Sequence, residues 1–440
     1  MPEYIFPLRQ GVGAPSVPCV KEGETVRRGQ RIADIPEGKL GSAIHTSVSG
    51  IVRAVTDEAV RIEAAAEQTK DYVPLENADP LSMIRASGLV GLGGAGFPVW
   101  AKLGKPFAPE EKGCVIINAA ECEPILSHNI DSVEKRPEDV LRGLAIEMDV
   151  MHAARGFIAI KKKHTAAVAA LQKALAAYTG EKPVNIHLLP DMYPMGEERA
   201  VVREVLGELL PPDAIPLAAG AVVSNVETAV RIHEAVDLGK PMIDKDLTVA
   251  GKLKTHPGET IVMHDVPVGI SVGAIFQMNG GLDEYGELVM GGPFTGHRTE
   301  IKDPVIKTTG GLIAAECFPK GPEKIGLLVC ACGASEERMK ELAASYGSEV
   351  VDIEYCKQAM PVRNTRKCLN PGKCPGQVAK VLAIRKAGAG AILIGNCSDC
   401  TNTVMSCAPQ LGLPVYHSTD LALRAVNHKL IRKIHIAPES

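Results

Sequence analysis

Between residues 76 and 242 short apolar runs alternate with longer amphipathic ones. Val115-Ile116-Ile117, Gly156-Phe157-Ile158-Ala159-Ile160 and Val184-Asn185-Ile186-His187-Leu188-Leu189 predict buried strands. The stretches 134–151 and 165–178, the second rich in alanine, predict helices, and a further helix runs from the turn 191–199 to Leu206. Such alternation marks βα units around a largely parallel sheet. On either side the pattern changes. Residues 1–75 hold brief β-like runs, such as Val17-Pro18-Cys19-Val20 and Ile32-Ala33-Asp34-Ile35, set between Gly, Pro and charged turns, and β character returns over 243–300 with Leu247-Thr248-Val249-Ala250-Gly251 and Leu288-Val289-Met290. Past a segment read as a linker, strands are expected over 325–329, 350–355 and 391–396, with helices over 335–346 and 377–387. The expected architecture is multidomain α/β. A β module covers 1–75, a Rossmann-like α/β domain 76–242, a small β module 243–300, a linker 301–324 and a cysteine-rich α/β domain 325–440.

Composition narrows the function classes. A chain of 440 residues with net charge −4 divides into several cores and carries no signal for nucleic-acid binding. Aromatics are 4% with one Trp, too few for a base-stacking surface. No uncharged apolar run is long enough to span a bilayer, and Met1-Pro2-Glu3-Tyr4 lacks a secretory pattern, so a soluble, cytoplasmic protein is expected. In that setting twelve cysteines, nine of them between Cys317 and Cys407, point to metal or redox chemistry rather than a disulfide framework.

The densest chemistry precedes and follows the first predicted strand. Gly91-Leu92-Gly93-Gly94-Ala95-Gly96-Phe97-Pro98 lets backbone N–H groups approach a flat, phosphorylated ligand, with Lys102 close behind. The strand then delivers Asn118-Ala119-Ala120-Glu121-Cys122-Glu123-Pro124 to its C-terminal end, where open α/β sheets bind ligands. This predicts a nucleotide or flavin site. Tyr193-Pro194-Met195-Gly196-Glu197-Glu198 opens a helix with two carboxylates, able to meet the macrodipole or ribose hydroxyls, and Ser224-Asn225-Val226-Glu227-Thr228 places a second Asn at a strand-to-helix turn. The run Lys161-Lys162-Lys163 reads equally as an anion-steering patch or a solvated strand end.

These four motifs, in this order, resemble the flavin- and NADH-binding subunit of respiratory complex I and, more closely, the C subunit of the Rnf complex. The resemblance implies that Gly91, Gly93, Gly94, Gly96, Lys102, Asn118, Tyr193, Gly196 and Asn225 lie against FMN, and that Phe97, Glu121, Glu123, Glu197 and Glu198 face NADH. Ala120 stands where complex I has Asp. Hydride transfer to flavin needs ring stacking and exclusion of water rather than an acid–base pair, so no catalytic side chain is expected there. The first module resembles the barrel-sandwich fold of biotinyl and lipoyl domains, with Lys39 lacking the context of an acylated lysine. The module over 243–300 resembles the β-grasp, soluble-ligand-binding (SLBB) module of the same relatives, with His256, His264 and His297 read as structural.

The tail departs from those relatives, lacking the cysteine spacings of their iron–sulfur segments. Instead three strands end in cysteines: Cys330 and Cys332, Cys356, and Cys397-Ser398-Asp399-Cys400, with Cys368 and Cys374 between. Helix N-termini should lower the thiol pKa values. Cys397 and Cys400 are candidates for a redox-active dithiol. Alternatively Cys330, Cys332, Cys374, Cys397 and Cys400 ligate an iron–sulfur cluster. The cysteines could also be buried and inert. The segment 374–400 resembles the small iron–sulfur subunit linking hydrogenase to heterodisulfide reductase, which implies [2Fe–2S]. Over its whole length the chain resembles the electron transfer proteins associated with proline reductase. That implies an NADH-oxidising flavoprotein passing electrons to an amino-acid reductase such as D-proline reductase. The alternative expectation is a non-catalytic docking subunit of a larger, Rnf-like redox complex, peripherally bound at a membrane, with a degenerate nucleotide site.

Overall fold

The computed structural model describes residues 2–108, 110–363 and 365–432. The last residues of the expected tail domain, 433–440, lie outside the described residues. Strand Cys114–Ala119 is almost wholly buried because helices cover both faces, and its unbroken apolar run suits the interior of a parallel sheet. It pairs in parallel with Arg155–Lys161 on one side and Ala221–Asn225 on the other, and Val184–Leu189 completes a four-stranded, all-parallel sheet. Leu144, Ile158 and Val230 pack with Val115 and Ile117 in its main core. The helix expected over 134–151 is two helices, His128–Lys135 and Pro137–Val150. Pro137 lacks an N–H and pushes Arg136 out of helical geometry, to φ −134° and ψ 46°.

The N-terminal module is a pair of small sheets. Glu3–Pro7, Ala59–Ala64, Gly50–Val55 and Thr25–Val26 form one, and Val17–Pro18, Arg31–Asp34 and Ile44–His45 the other. Its Phe6, Val26 and Ile62 share a core with Leu247, Val266 and Phe276 of the module that follows the first parallel sheet, so the two β modules pack as one body. That second module is a five-stranded mixed sheet in the order Thr260–Pro267, Asp244–Gly251, Gly311–Ala314, Leu288–Met290, His297–Thr299. It corrects the sequence reading twice. Gly311–Ala314, in the expected linker 301–324, is the central strand, paired in parallel with Asp244–Gly251. A helix, Val272–Met278, capped by Ser271, also interrupts the β pattern. Buried ion pairs join this sheet to the first parallel sheet's helices. Asp246 lies between Arg136 and Arg231, and Lys245 meets Glu227.

The tail repeats the parallel plan on a smaller scale, in the order Glu349–Tyr355, Lys324–Val329, Ala391–Ile394, Val415–His417. Ile325, Leu327 and Leu393 face one apolar layer with Met339 and Leu342, and Leu328, Ile392 and Ile394 face the other with Ile384 and Val404. A hairpin that the sequence pattern did not reveal, Ala359–Val362 with Thr365–Cys368, projects beside it. Among the described residues no helix is long and apolar enough to cross a membrane.

Candidate functional site

Two strand-end regions carry the chemistry. At the first, Asn118 and Asn225 are register partners on adjacent parallel strands, so both turns open side by side. The Asn118 amide donates to the Gly196 carbonyl (2.9 Å) and its oxygen accepts from Ala120 N–H (3.2 Å). The Asn225 oxygen caps helix Val226–Leu238 by accepting from Glu227 and Thr228 N–H (2.9 and 3.3 Å). Its amide nitrogen leaves no room across the gap, because a Cβ on Gly93 would stand 2.6 Å from it. Gly91 N–H donates to the Phe97 carbonyl (2.9 Å) and closes the loop. Gly96, at φ +72°, presses against Gly11 of the N-terminal module. Gly93, Gly94 and Ala95 lie exposed on the outer side beside Phe97, whose ring is 42% exposed. Lys102 donates to the Val223 carbonyl and pairs with Glu198 (3.2 Å).

The structure thus gathers Gly91, Gly93, Gly94, Gly96, Phe97, Lys102, Asn118, Gly196, Glu198 and Asn225 around one sheet edge. Glu121 stands at its rim with φ +36°, accepting from Asn129 (3.0 Å), and Lys161 donates to its carbonyl (3.4 Å). The lysine run is therefore part of the edge: Lys161 is buried, and Lys163 pairs with Asp191 (2.9 Å). Glu197 caps helix Glu198–Leu206 by accepting from Ala200 N–H (3.0 Å) and also accepts from Arg199 (3.1 Å). Two residues have partners other than those expected. Both oxygens of Glu123 are taken by the five-stranded sheet's module, accepting from Phe294 N–H (2.8 Å), Thr295 N–H (2.9 Å) and the Thr295 hydroxyl (2.6 Å). The residue keeps some exposure, but its carboxylate is desolvated, and burial pushes it up to about 7 against the pull of those donors. Tyr193 is buried, stacked face to face on Phe294 with centroids 3.7 Å apart and planes within 3°.

At the second edge, Cys330 and Cys332 follow strand Lys324–Val329, Cys356 follows Glu349–Tyr355, and Cys397 and Cys400 follow Ala391–Ile394. The hairpin and the loop after it bring Cys368 and Cys374 to the same place, and all twelve cysteines are free thiols. Six of them stand in thiol–thiol contact: Cys330 with Cys332 and Cys356, Cys332 with Cys368, and Cys400 with Cys356 and Cys374. Cys356, Cys368 and Cys374 all lie on the segment 356–374. The bond from Cys330, then that from Cys400, holds Cys356 far below the usual thiol range; Cys332 lowers Cys368; and Cys400 brings Cys374 down to about 6. Cys400 moves the other way, raised by its contacts with Cys356 and Cys374 and by burial, and Cys332 is raised by its contacts with Cys330 and Cys368 and by burial.

The expectation that helix N-termini lower the thiols fails at the C-x-x-C pair. Burial pushes Cys397 up to about 12, although it stands at the N-cap of helix Ser398–Met405. A helix terminus offers about half a charge at most, and desolvation of a thiolate outweighs it. Cys407 stands apart, bonded to the carbonyls of Thr403 and Val404. Among the described residues no three His, Cys, Asp or Glu side chains converge as a single metal ion requires. The thiols lie together at one edge, on three strand ends and the segment 356–374.

The two edges touch. Tyr193 N–H donates to the Ser398 hydroxyl (3.2 Å), Ser398 N–H returns to the Tyr193 carbonyl (3.3 Å), and the Tyr193 hydroxyl donates to the Cys332 carbonyl. Arg199 donates to the Cys368 carbonyl, and Arg203 to Asn370 (2.7 Å) and the Pro371 carbonyl (2.8 Å). Cys122 accepts the Gly196 N–H and packs with Tyr193, Phe294, Cys332, Cys374, Cys397 and Cys400. Sequence reasoning left Cys122, Phe294, Cys356 and Cys368 out of the site. Cys122 lies inside a quoted motif and Cys356 shares the strand-end position of its neighbours, so both carried a signal. Cys368 stood beside Cys374 in the cysteine-rich tail, and Phe294 carried no signal.

Residues 84–234 match the family model of the Nuo51 FMN-binding domain, and residues 1–74 that of the RnfC barrel sandwich hybrid domain. The chain is 34% identical over 341 residues to the C subunit of the Na(+)-translocating ferredoxin:NAD(+) oxidoreductase complex of Acetobacterium woodii, covering 73% of this chain and 74% of that one. It is 34% identical to the C subunit of the ion-translocating oxidoreductase complex of Pseudomonas aeruginosa over 75% of this chain but 44% of the longer relative. It is 30% identical to the cobalamin reductase PduS of Citrobacter freundii over 79% of this chain and 72% of that one.

Proposed function

The chain belongs to the family of Rnf complex C subunits, and we propose that it is an oxidoreductase that takes electrons from NADH through FMN and passes them, by way of its tail sulfurs, to a partner reductase. The observation that carries this reading is the contact of the Tyr193 turn with Ser398 and Cys332, which puts the glycine-loop edge and the thiol edge within one hydrogen-bonded junction. The first edge suits FMN. An exposed glycine loop offers backbone to a phosphate, the gap beside Gly93 accepts no side chain, and Asn118 and Asn225 hold the loop and the Gly196 turn in place. When bound, FMN supplies the exchange between hydride and electron chemistry. The chain's part is to orient and shield. Phe97 offers a ring face, Glu121, Glu197 and Glu198 offer carboxylates to ribose hydroxyls, and Glu123 pins the neighbouring module against the site.

Two forms of the sulfur centre fit this reading. In one, an oxidised Cys397–Cys400 pair takes two electrons and two protons, its S–S bond breaking to give two thiols. In the other, Cys330, Cys332, Cys374, Cys397 and Cys400 supply ligands to a [2Fe–2S] cluster, with Cys356 and Cys368 in the same thiol network. Resemblance of the whole chain to proline reductase-associated electron transfer proteins supports an amino-acid reductase such as D-proline reductase as acceptor. The relatives named for ferredoxin and cobalamin supply two further acceptors to assay. Anaerobically purified protein tests the reading. A flavin absorbance that bleaches with NADH supports it, and a colourless protein indifferent to NADH leaves the docking-subunit alternative. Iron and acid-labile sulfide analysis separates the two centres. In the dithiol form Cys397→Ser abolishes onward transfer while flavin reduction survives.

A further inference from the structure

Charge is spread unevenly in the tail. Residues 356–398 contain eight Lys and Arg and no Asp or Glu, in a chain whose net charge is −4. This stretch is the segment that carries Cys356, Cys368 and Cys374 of the thiol edge. In its hairpin Ala359 and Cys368 oppose one another and are buried, while the next pair, Met360 and Lys367, is exposed, so one face covers sulfur and the other meets solvent. Lys357, Arg363 and Lys373 are exposed around it. Among the described residues Lys357, Lys367 and Lys373 have no ion pair, whereas Lys380 is held by Glu354 (2.7 Å) and Arg366 stacks on Tyr355 (3.7 Å). Between the charges lie exposed apolar side chains, Met360 and Leu369 at 42% and Val378 at 53%.

An apolar patch ringed by unpaired cations is the plan of an electrostatically steered protein interface. We propose that the outer face of this hairpin, with Lys357, Lys367 and Lys373 around Met360 and Leu369, docks an acidic redox protein that collects electrons from the thiol edge beneath it. The proposal rests on the electron-transfer reading and names the chemistry of the partner: a protein with carboxylates ringing its own acceptor. Each electron it gains is lost by the tail sulfur centre and restored from NADH through the flavin edge. A nucleic acid fits poorly, for no aromatic residue stands among the exposed groups of the face. A membrane surface would use the cations but gives no account of their place over the cysteines.

The test uses the full chain, purified anaerobically, with an acidic plant-type [2Fe–2S] ferredoxin as probe and basic cytochrome c as control, titrated by calorimetry at low and moderate ionic strength. The combined Lys357→Glu, Lys367→Glu, Lys373→Glu variant is expected to bind ferredoxin about tenfold or more weakly, and added salt to weaken the wild type likewise. Lys302→Glu, on an exposed turn of the five-stranded sheet's module, should leave binding unchanged. The proposal is overturned if the wild type does not bind ferredoxin, if the triple variant binds it equally well, if cytochrome c is preferred, or if these lysines serve only to hold phosphatidylglycerol vesicles. NADH bleaching of the flavin is followed separately in each variant. Its absence throughout would remove the electron-transfer reading, while its persistence with unaltered ferredoxin binding would remove only the docking face.

Discussion

At the ends of Cys114–Ala119 and Ala221–Asn225 the chain presents amides and bare backbone, whereas at the ends of Lys324–Val329, Glu349–Tyr355 and Ala391–Ile394 it presents thiols. Both edges belong to four-stranded parallel sheets, and both place their groups where strand gives way to loop or helix. They differ in how much each residue matters. The first edge works by shape: a glycine loop lies against Asn225 with no space to spare. The second rests on thiols in mutual contact, so its behaviour is a property of six sulfurs rather than of any one. A substitution at the first should act by collision, and one at the second by redistributing charge.

The largest effect is expected at the first edge. A side chain at Gly93 would strike Asn225, and overpacking of this kind costs about 1–3 kcal/mol. Gly93→Val should therefore lower FMN affinity ~10- to 100-fold, read by flavin fluorescence titration. Unchanged affinity would break the contrast. Next comes the thiol edge. Cys356→Ser removes the sulfur in contact with both Cys330 and Cys400, and should slow onward electron transfer about tenfold while NADH still bleaches the flavin. Cys407→Ser, off the network, should alter neither step.

The junction gives smaller effects. Glu123 is raised to about 7 in the folded chain, above its ordinary value, so its contribution to stability is fully present in acid and is lost as pH rises through about 7. From pH ~5 to ~8 the wild type should lose about 2–4 °C more in melting midpoint than Glu123→Gln. Parallel curves would show that the carboxylate is not held in that state. Smallest is Tyr193→Phe, which removes the hydroxyl bonded to the Cys332 carbonyl and should cost about 1 kcal/mol, a shift of about 1–2 °C.

The two edges were not equally legible. The flavin-side motifs could be read because close backbone approach demands glycine and a helix start favours Asn, so Gly93 and Asn225 announce their roles locally. Other features depend on partners distant in sequence. Gly311–Ala314 is a strand because Thr248–Gly251 and Leu288–Met290 flank it, and its four residues show no alternation. The hairpin that carries Cys368 contains Pro361, which ordinarily argues against a strand. Arg136–Pro137 is the opposite case, a helix break whose signal was present in the proline. The thiol pKa values reversed the local expectation at Cys397 and Cys400, because burial and thiol contact are three-dimensional quantities that a helix N-terminus does not reveal. Glu123 and Tyr193 were not legible as a clasp, since Phe294 and Cys332 come from distant segments.

The central claim is that the two edges are in electronic contact within one chain. An anaerobic titration with NADH, following flavin absorbance, tests it most directly. In protein whose tail is first oxidised, bleaching should lag and require more than about one NADH per flavin if the tail sulfurs accept electrons from the flavin, the excess vanishing when the tail cysteines are first reduced and alkylated. Full bleaching at about one NADH per flavin, with or without alkylation, would contradict the account.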